Sequence, residues 1–430
     1  MGIRKKIAVL LGQSEENYQE QFLTGFLQVA LEQDYDVCIF SMYQKYQESA
    51  GREVGDANIF NLIPYDSMDG VIVLNDCIQT PGVIDRLENQ IKAEFHGPVI
   101  CIDKESKYFP TIMTDHYTPV KKLISHLIEV HHYTDIAYLT GKEWHIHSKL
   151  RLQAYKDCME EHHLEVRPDR IFYGDYWYTS GENMAERLSS DREHLPQAIA
   201  CANDCMAIGV AKSLTAHGIR VPEDVAVIGY DSIEEGRYSP VPLTSAPIPA
   251  KECGRHAARS INDMLHGKEL KKLSADAELF IGASCGCDCT FKTDKSMLRP
   301  TWDTDISSAG YYSLYNHMMD DLLSQTTFDD LIRTIYSYIY QIRPFQDFYL
   351  CMNESWKYPE QLSQNTLASE QFSQHMIQAL HCGRDEDNQE KVDFSVILNR
   401  HDLVSDFNKE REKAKAYIFT PLCFERRSFG

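Results

Sequence analysis

Polar side chains follow two apolar stretches in the middle of the chain, and their types suit hydrogen bonding to a small polar molecule. Asn203 and Asp204 follow the apolar run Ala198–Cys201, and Asp231 follows the apolar run Val225–Gly229. Ligands of open parallel sheets lie beyond the carboxyl ends of the strands. We therefore expect these three side chains to meet at one sheet edge, as in a receptor more than in a catalyst.

The residues between these two groups have the pattern of a helix and a turn. Apolar side chains recur with helical spacing from Met206 to Leu214, Gly218 suits a helix end, and Pro222 suits a turn. The same alternation of strands and helices extends over residues 4–285, which predicts an α/β fold with parallel sheets. The predicted strands are Ile7–Leu11, Asp36–Phe40, Gly70–Leu74, Val99–Ile102, Thr111–Met113, Asp135–Leu139, Arg170–Tyr173, Ala198–Cys201, Val225–Gly229 and Leu243–Ala246, and the predicted helices include Glu20–Gln33, Tyr117–Val130, Lys149–His162 and Ala250–Leu265.

The segment Ala200–Asp231, ACANDCMAIGVAKSLTAHGIRVPEDVAVIGYD, resembles the effector-binding domain of the lactose/galactose repressor (LacI/GalR) family. That family shares its fold with periplasmic sugar-binding proteins. The resemblance implies a periplasmic-binding-protein-like type I fold, in which two doubly wound parallel sheets form two lobes joined by a hinge. We expect residues 1–288 to form this receptor domain, with crossovers near residues 140 and 245 and with ligand binding that closes the cleft between the lobes.

The resemblance also implies ligand contacts. The run from Leu139 through Gly141 to Arg151 matches a second family pattern, and Arg151 falls on its effector-binding arginine. Asn203 falls on the amide that bridges ligand hydroxyls, Asp231 on the carboxylate that accepts from them, and Tyr176 on an aromatic residue that stacks on a sugar. Further predicted contacts are Trp177, Trp144, His147, Gln13, Tyr18 and Asp115.

Each of these residues also has a purely structural interpretation. An Asn or Asp at the start of a helix is often an N-cap, and an arginine on a helix is usually a solvated or ion-paired surface residue. The loop histidines His145 and His147 have a spacing that metals use, but two ligands alone make a weak site. We expect no metal and no cofactor there.

Three cysteines at alternate positions, Cys285, Cys287 and Cys289, could bind a soft metal or sense oxidation. The sequence places no second pair of cysteines or histidines to complete a tetrahedral zinc site. We therefore expect an extended segment that closes the receptor domain and enters a linker.

Composition and charge argue against a DNA-binding protein and against a membrane protein. The chain has 430 residues and a net charge of −21, so phosphate backbones repel it, and we expect no direct DNA binding by these residues. An apolar run long enough for a membrane span is absent from the sequence. The N-terminus suits a first strand better than a signal peptide, which predicts a cytoplasmic location with reduced cysteines.

Beyond the receptor domain, the pattern changes. We expect a linker with a signalling helix at 289–326 and a small α+β domain at 327–430 that resembles GAF or PAS sensors. Its predicted elements are the helix Thr327–Ile342 and strands at Phe348–Met352, Phe394–Leu398 and Tyr417–Cys423, with a polar stretch from Gln361 to Gln389 between the first two strands. The last residues suggest a hairpin without its return strand, which predicts a truncated chain.

Three functions remain open at this point. The first is a cytoplasmic, dimeric sensor of a small molecule, which would be a sugar or a purine. We expect its output domain to lie outside this chain, because the first predicted strand begins too early to leave room for an N-terminal helix-turn-helix. Its variants are the sensor region of a diguanylate cyclase or of an AraC-type regulator. The second is a transporter's solute-binding protein, which would need an export signal. The third is an enzyme, but the sequence contains no P-loop or HExxH motif.

Overall fold

The computed structural model describes residues 4–43, 50–274, 278–289, 297–302, 308–342, 345–354, 372–384, 390–424 and 427–428. The chain divides into two compact units. Unit 1 comprises Met1–Met113, Ala250–Leu273 and Ser307–Gly430, and unit 2 comprises Thr114–Pro249 and Ser274–Ile306.

Strands and helices alternate along most of the described chain. The strands are β1 (Lys6–Gly12), β2 (Asp36–Met42), β3 (Gly70–Val73), β4 (Val99–Ile102), β5 (Thr111–Ile112), β6 (Ile136–Thr140), β7 (Ile171–Tyr173), β8 (Ala198–Cys201), β9 (Ala226–Ile228), β10 (Asp347–Asn353), β11 (His375–Arg384), β12 (Glu390–Asn399), β13 (Ala416–Phe419), β14 (Cys423–Phe424) and β15 (Arg427–Ser428). The helices are α1 (Asn17–Glu32), α2 (Ala50–Ala57), α3 (Val83–Glu94), α4 (Thr118–Glu129), α5 (Ile146–Glu161), α6 (Tyr178–Ser189), α7 (Asp204–Ala216), α8 (Glu234–Arg237), α9 (Ala250–Leu265), α10 (Ser308–Leu323) and α11 (Phe328–Tyr338).

The main sheet of unit 1 is parallel, with the strand order β13-β2-β1-β3-β4-β5. Every residue of β1 is buried. Its alternate side chains enter two cores: Ala8 and Leu10 pack on one face, and Ile7, Val9 and Leu11 pack on the other face with residues of α1 and α9. A parallel strand covered on both faces needs such a continuous apolar sequence, which explains why β1 is recognisable from its residues.

The sheet of unit 2 is also parallel, with the order β7-β6-β8-β9. The strand order reverses between β6 and β8, so the chain leaves these two strands toward opposite sides. Such a topological switch point opens a crevice at the carboxyl ends of the strands, where ligands of this sheet type bind. Thr140 and Cys201 are the last residues of these two strands.

The predicted fold class, a periplasmic-binding-protein-like type I fold with parallel sheets, is confirmed. The predicted bounds of β4, β8 and α9 coincide with those observed. The predicted strand Leu243–Ala246 forms isolated bridges instead, one of them between Ile228 and Thr244. Local apolar periodicity therefore identified nearly all elements of the two parallel sheets.

The first lobe crossover lies elsewhere than expected. The chain passes from unit 1 to unit 2 between Met113 and Thr114 and returns between Pro249 and Ala250. The expected crossover near residue 140 falls inside unit 2, because β6 pairs there with β7 and β8. The expected crossover near residue 245 lies a few residues before this return and stays a prediction.

The predicted separate domain at 327–430 does not form a unit of its own, because its described residues belong to unit 1. Strand β13 pairs in parallel with β2, and the Arg411 guanidinium donates to the buried Asp36 carboxylate at 2.5 Å. Strands β10, β11 and β12 form an antiparallel sheet, with Ile332 of α11 in its core. Strand β11 lies within the stretch expected to be a polar connection, of which residues 361–371 and 385–389 are outside the described residues.

A helix, α10, lies within the range expected to be a linker, and its signalling role stays a prediction. The return strand that we expected to be missing is present, since β15 pairs with β14 in antiparallel orientation. Among the described residues, none of the helices combines the length and the hydropathy that crossing a bilayer requires.

Candidate functional site

The candidate site lies in unit 2, where β6, β8 and β9 end and α5 and α7 begin. Four side chains singled out from the sequence belong to these connections or to the helices: Arg151 on α5, Tyr176 after β7, Asn203 at the start of α7, and Asp231 after β9.

Arg151 is the centre of this arrangement, and it is 5% exposed. Its Nη1 donates to the Ala202 carbonyl at 2.6 Å, and its Nη2 donates to His116 Nδ1 at 3.1 Å. The guanidinium carbon lies 4.1 Å from the ring centroid of Tyr230 and 5.8 Å from that of Tyr176. Within the described part of the chain, Arg151 Nε–H has no acceptor. The Nε–H of this rigid, buried guanidinium is therefore available to donate a hydrogen bond to another group.

His116 fixes the position of this fork. An arginine can only donate, so His116 Nδ1 accepts and the proton of the neutral ring sits on Nε2. Nε2 then donates to Thr114 Oγ1 at 2.8 Å, while the Tyr230 hydroxyl lies 3.1 Å from Nδ1. The His116 ring also contacts His147, with 3.9 Å between ring centroids. His116 is a positioning residue for Arg151.

Asp231 sits in an unusual backbone conformation, with φ +106, and Ser232 after it has φ +55. Such angles cost free energy in residues with a Cβ and cluster at functional sites. In the described chain, Asp231 Oδ1 is buried without a hydrogen-bond donor. Burial raises the pKa of Asp231 from 3.8 to about 7, and the charge of Arg151 opposes the rise. The site thus offers an acceptor whose charge changes near neutral pH.

Asp204 holds the Asp231 loop in place. Its Oδ2 accepts from the Ile233 N–H at 2.8 Å, and its Oδ1 accepts from Ser245 Oγ at 2.7 Å. Its own N–H donates to the Tyr230 carbonyl at 2.7 Å. Burial, and next the charge of Asp231, raise the pKa of Asp204 well above its ordinary value. Asp204 is therefore the brace between α7 and the end of β9.

Asp204→Ala is expected to destabilise the protein by about 1–3 kcal/mol, because the buried Ile233 N–H and Ser245 hydroxyl lose their acceptor. Urea denaturation of the full chain measures the loss. Asp224→Ala is the control, since among the described residues the exposed Asp224 carboxylate accepts only from Arg220 and its loss should cost far less than that of the buried Asp204 carboxylate. Equal losses in the two variants would contradict the bracing role.

Asn203 forms two hydrogen bonds within the folded chain. Its Oδ1 caps α7 by accepting from the Met206 N–H at 3.0 Å, and its Nδ2 donates to the Tyr176 carbonyl at 2.9 Å. Each amide atom has a second hydrogen-bonding position. The capping interpretation is therefore correct, and a ligand contact by Asn203 stays a prediction.

Tyr176 lies directly over Gly141, where a Cβ on Gly141 would come within 2.1 Å of the Tyr176 ring. Its hydroxyl is hydrogen-bonded to Ser148 Oγ, and its φ is +75. Only glycine at 141 lets the ring approach the end of β6 so closely. The ring, the turn and the Arg151 fork thus form one connected group.

The remaining predicted contacts of this unit lie around that group. His147 is buried on α5, and its N–H donates to His145 Nδ1, which caps the helix. Trp144 and Trp177 are about half exposed. Asp115 is exposed and caps α4, because its Oδ1 accepts from the N–H groups of Tyr117 and Thr118 at 2.9 Å. Asp115 was expected on the N-terminal lobe, but it falls in unit 2.

Unit 1 holds the other two predicted contacts. Gln13 follows β1 with φ +56, and its Nε2 is buried without an acceptor in the described chain. The Tyr18 hydroxyl donates to Asp103 Oδ2, and Asp103 is buried directly after β4. Burial, and next the charge of Asp103, raise the pKa of Tyr18 well above its ordinary value. Contacts of Gln13 and Tyr18 with a ligand stay predictions.

Sequence reasoning missed His116 and Asp103, although a signal for both was available. Each follows a strand at its carboxyl end, which is the rule that selected Asp115. It also missed two histidines near the cysteine run: His126 and His131 lie beside Cys285 and Cys287. Their separation of more than 150 residues left no sequence signal for that cluster.

Comparisons with known proteins agree with the geometry. Residues 124–285 match the model of the periplasmic binding protein-like domain. The chain is 27% identical over 232 residues to the HTH-type transcriptional repressor MelR of Bacillus subtilis (strain 168), a match over 52% of this chain and 65% of the repressor. It is 25% identical over 270 residues to the HTH-type transcriptional repressor PurR of Vibrio parahaemolyticus, over 62% of this chain and 77% of that protein.

A solved structure has the same fold. A regulatory protein of the LacI family from Chloroflexus aggregans superposes with a TM-score of 0.55 and 25% identity, over 65% of this chain and 98% of that protein. The fold thus defines a periplasmic-binding-protein-like domain with parallel α/β sheets. Its sequence relatives are HTH-type transcriptional repressors, and the match to MelR spans just under two thirds of that protein.

Proposed function

We propose that the site around Arg151 in unit 2 binds a neutral polyhydroxylated molecule, with a sugar as the first candidate. One observation carries this proposal: a buried donor, Arg151 Nε–H, and a buried acceptor, Asp231 Oδ1, both lack partners in the described chain and both belong to the same site. Unpaired buried polar groups are costly, so a structure keeps them where a ligand completes them.

The chemistry of these groups favours hydroxyls. A hydroxyl both donates and accepts, so neighbouring hydroxyls could satisfy Arg151 and Asp231 together. The Tyr176 ring adds an apolar face of the kind that sugars or flat bases pack against. A purine or nucleoside is the second candidate, because the same donor, acceptor and ring suit a base with polar edges.

We further propose that the chain is the cytoplasmic ligand-sensing part of a LacI/GalR-like regulator, acts as a homodimer, and passes its signal to an output domain outside these residues. The sequence relatives are repressors, which supports a regulatory role. The alternative is that the chain is the N-terminal sensor region of an AraC-type regulator or of a diguanylate cyclase, and the further alternative is that it is a transporter's solute-binding protein. Hinge closure stays a prediction of the resemblance.

We infer binding and not catalysis for this site. The arginine is held by Ala202 and His116, its charge opposes the rise in the pKa of Asp231, and the neighbouring Asp204 carboxylate accepts hydrogen bonds from the Ile233 N–H and the Ser245 hydroxyl. Binding accounts for these groups without a nucleophile or an acid–base pair. The relatives are named as repressors, which supports the same conclusion.

A thermal-shift screen of the full chain tests the proposal. The panel contains pentoses, hexoses, sugar phosphates, nucleosides and purine bases. A ligand at about 100 times its dissociation constant should stabilise the folded protein by about 2.7 kcal/mol, which is readily measured. A neutral sugar or nucleoside that stabilises the wild type but not Asp231→Ala supports the assignment. Stabilisation only by anionic ligands, or no stabilisation across the panel, contradicts it.

A further inference from the structure

Four metal-ligating side chains meet in unit 2, outside the site described above. His126, His131, Cys285 and Cys287 each offer one ligand atom, and in the described chain these four atoms all lie within 4.8 Å of one another. Cys287 Sγ lies 3.3 Å from His131 Nε2 and 3.5 Å from His126 Nε2, and Cys285 Sγ lies 3.5 Å from His126 Nε2. We propose that these residues form a structural Cys2His2 zinc site.

The separations match the coordination that zinc requires. Tetrahedral zinc with bonds of about 2.3 Å to sulfur and about 2.0–2.1 Å to nitrogen places each sulfur about 3.6 Å from each nitrogen. The three measured sulfur–nitrogen separations differ from this value by a few tenths of an ångström. A small outward shift of the side chains would open the centre for one ion.

The ligand types select the metal. Two thiolates and two imidazoles suit zinc, which takes four such ligands in closed structural sites. Two thiolates also neutralise the charge of Zn²⁺, so the occupied site would be electrically neutral. That matters because Cys285 is fully buried and the other three ligands are partly buried.

The backbone already holds the ligands in place. His126 lies in the last turn of α4, and the turn after this helix is closed by the His132 N–H, which donates to the Ile128 carbonyl at 3.0 Å. Gly286, between the two cysteines, has φ +103, a conformation that glycine adopts without strain. Both cysteines can therefore face the histidines from one tight turn.

A second shell supports the cysteine turn. Thr244 Oγ1 lies 3.0 Å from Cys285 Sγ, and the Tyr133 hydroxyl donates to the Cys285 carbonyl at 3.4 Å. The Ser284 carbonyl accepts from the Val227 N–H at 2.9 Å, which places the turn at the edge of β9. Such outer contacts orient the ligands of metal sites.

The position of the cluster in unit 2 indicates a structural role for the metal. Helix α4 is the first helix of unit 2, and the cysteine turn belongs to the last segment of that unit. His126 and Cys285 are 159 residues apart in sequence. An ion held by both would close a long loop and tie the two ends of unit 2 together, which stabilises the folded state.

Metal analysis of the purified full chain tests this proposal. The protein is expressed with zinc, its purification tag is removed, and it is kept reduced, without chelators. Elemental mass spectrometry should then find about one zinc per chain, as a closed site binds a single ion. Cys287→Ser and His131→Ala should lose the metal. Cys289→Ser and His132→Asn are the controls, because each changes the same residue type close by in sequence but outside the cluster and asparagine tolerates the positive φ of residue 132, and both should keep the metal.

A second measurement covers the case in which the ligand variants do not fold. Metal-free wild-type chain is titrated with Co²⁺, which should produce a thiolate charge-transfer band and the visible absorption of tetrahedral cobalt, and with Zn²⁺, which should raise Tm. A metal content that the Cys287 and His131 changes leave unaltered would overturn the proposal. So would loss of metal in the control variants, a wild-type chain with neither zinc nor a cobalt spectrum, or a disulfide between Cys285 and Cys287 in the reduced preparation.

Discussion

Arg151→Ala is expected to weaken binding of the proposed ligand at least about a hundredfold, which corresponds to about 2.7 kcal/mol. The change removes the buried Nε–H donor and the cation that faces the Tyr230 and Tyr176 rings. It also takes the hydrogen-bond donor away from the Ala202 carbonyl, so the free protein should lose about 1–3 kcal/mol of stability. Isothermal titration calorimetry with the ligand found by the thermal-shift screen, together with urea denaturation, measures both effects.

Two further variants separate binding from folding. Arg151→Lys keeps the charge but loses the planar fork, so we expect a smaller loss of stability and still a loss of affinity of about tenfold or more. Arg220→Ala is the control, because Arg220 forms an exposed ion pair with Asp224 at the surface of unit 2. An Arg151→Ala protein that folds and has a dissociation constant within about threefold of the wild-type value would contradict the assignment of Arg151 to the binding site.

Asp231→Asn is expected to abolish the pH dependence of binding and to stabilise the free protein at pH 8. Because the pKa of Asp231 in the folded protein is about 7, protons compete with ligand hydroxyls for this carboxylate below that pH. Wild-type affinity should therefore fall by up to about tenfold per pH unit between pH 7 and pH 5. The asparagine variant should bind weakly at every pH. Titrations at several pH values test this, and an affinity that rises as the pH falls would contradict it.

The effect of Asp231 on stability has the opposite sign to that of an ordinary salt-bridged carboxylate. Its pKa in the folded protein, about 7, is higher than the ordinary 3.8, so between pH 4 and pH 7 the folded state binds the proton more tightly than the unfolded state. Protonated Asp231 therefore stabilises the folded state relative to ionised Asp231. This stabilisation is complete below pH 4 and is lost as the pH rises through 7. Above pH 7 the ionised form costs at most about 4 kcal/mol, which an uncharged asparagine avoids.

Urea denaturation of the wild type and Asp231→Asn from pH 4 to pH 8 measures this difference. The free energy of unfolding of the variant should exceed that of the wild type most at pH 8, and the difference should shrink toward pH 4. Arg151 is the charged group that acts on Asp231, and it remains in the variant together with Asp204, whose own pKa the charge of Asp231 raises. Asp224→Asn is the control, because Asp224 is paired at the surface and its pKa is lowered to about 2, first by its hydrogen bond with the Arg220 side chain. An equal pH profile for wild type and Asp231→Asn would contradict the assigned burial.

The sequence by itself determined the elements of both parallel sheets and the edge of unit 2 where Arg151, Tyr176, Asn203 and Asp231 collect. Buried parallel strands must be apolar throughout, and their polar residues are then confined to the ends, so this information is local. The family resemblance added the choice of Arg151, which no local pattern distinguishes from a surface arginine.

Only the tertiary structure decided the rest, because it depends on packing between distant segments. It placed His116 behind Arg151, although the same strand end carries the exposed Asp115. It made β13 a strand of the unit 1 sheet instead of part of a separate domain. It brought His126 to Cys285 across 159 residues. Spacing along a chain predicts which face of an element is buried, but the partner on that face is set by how the elements pack.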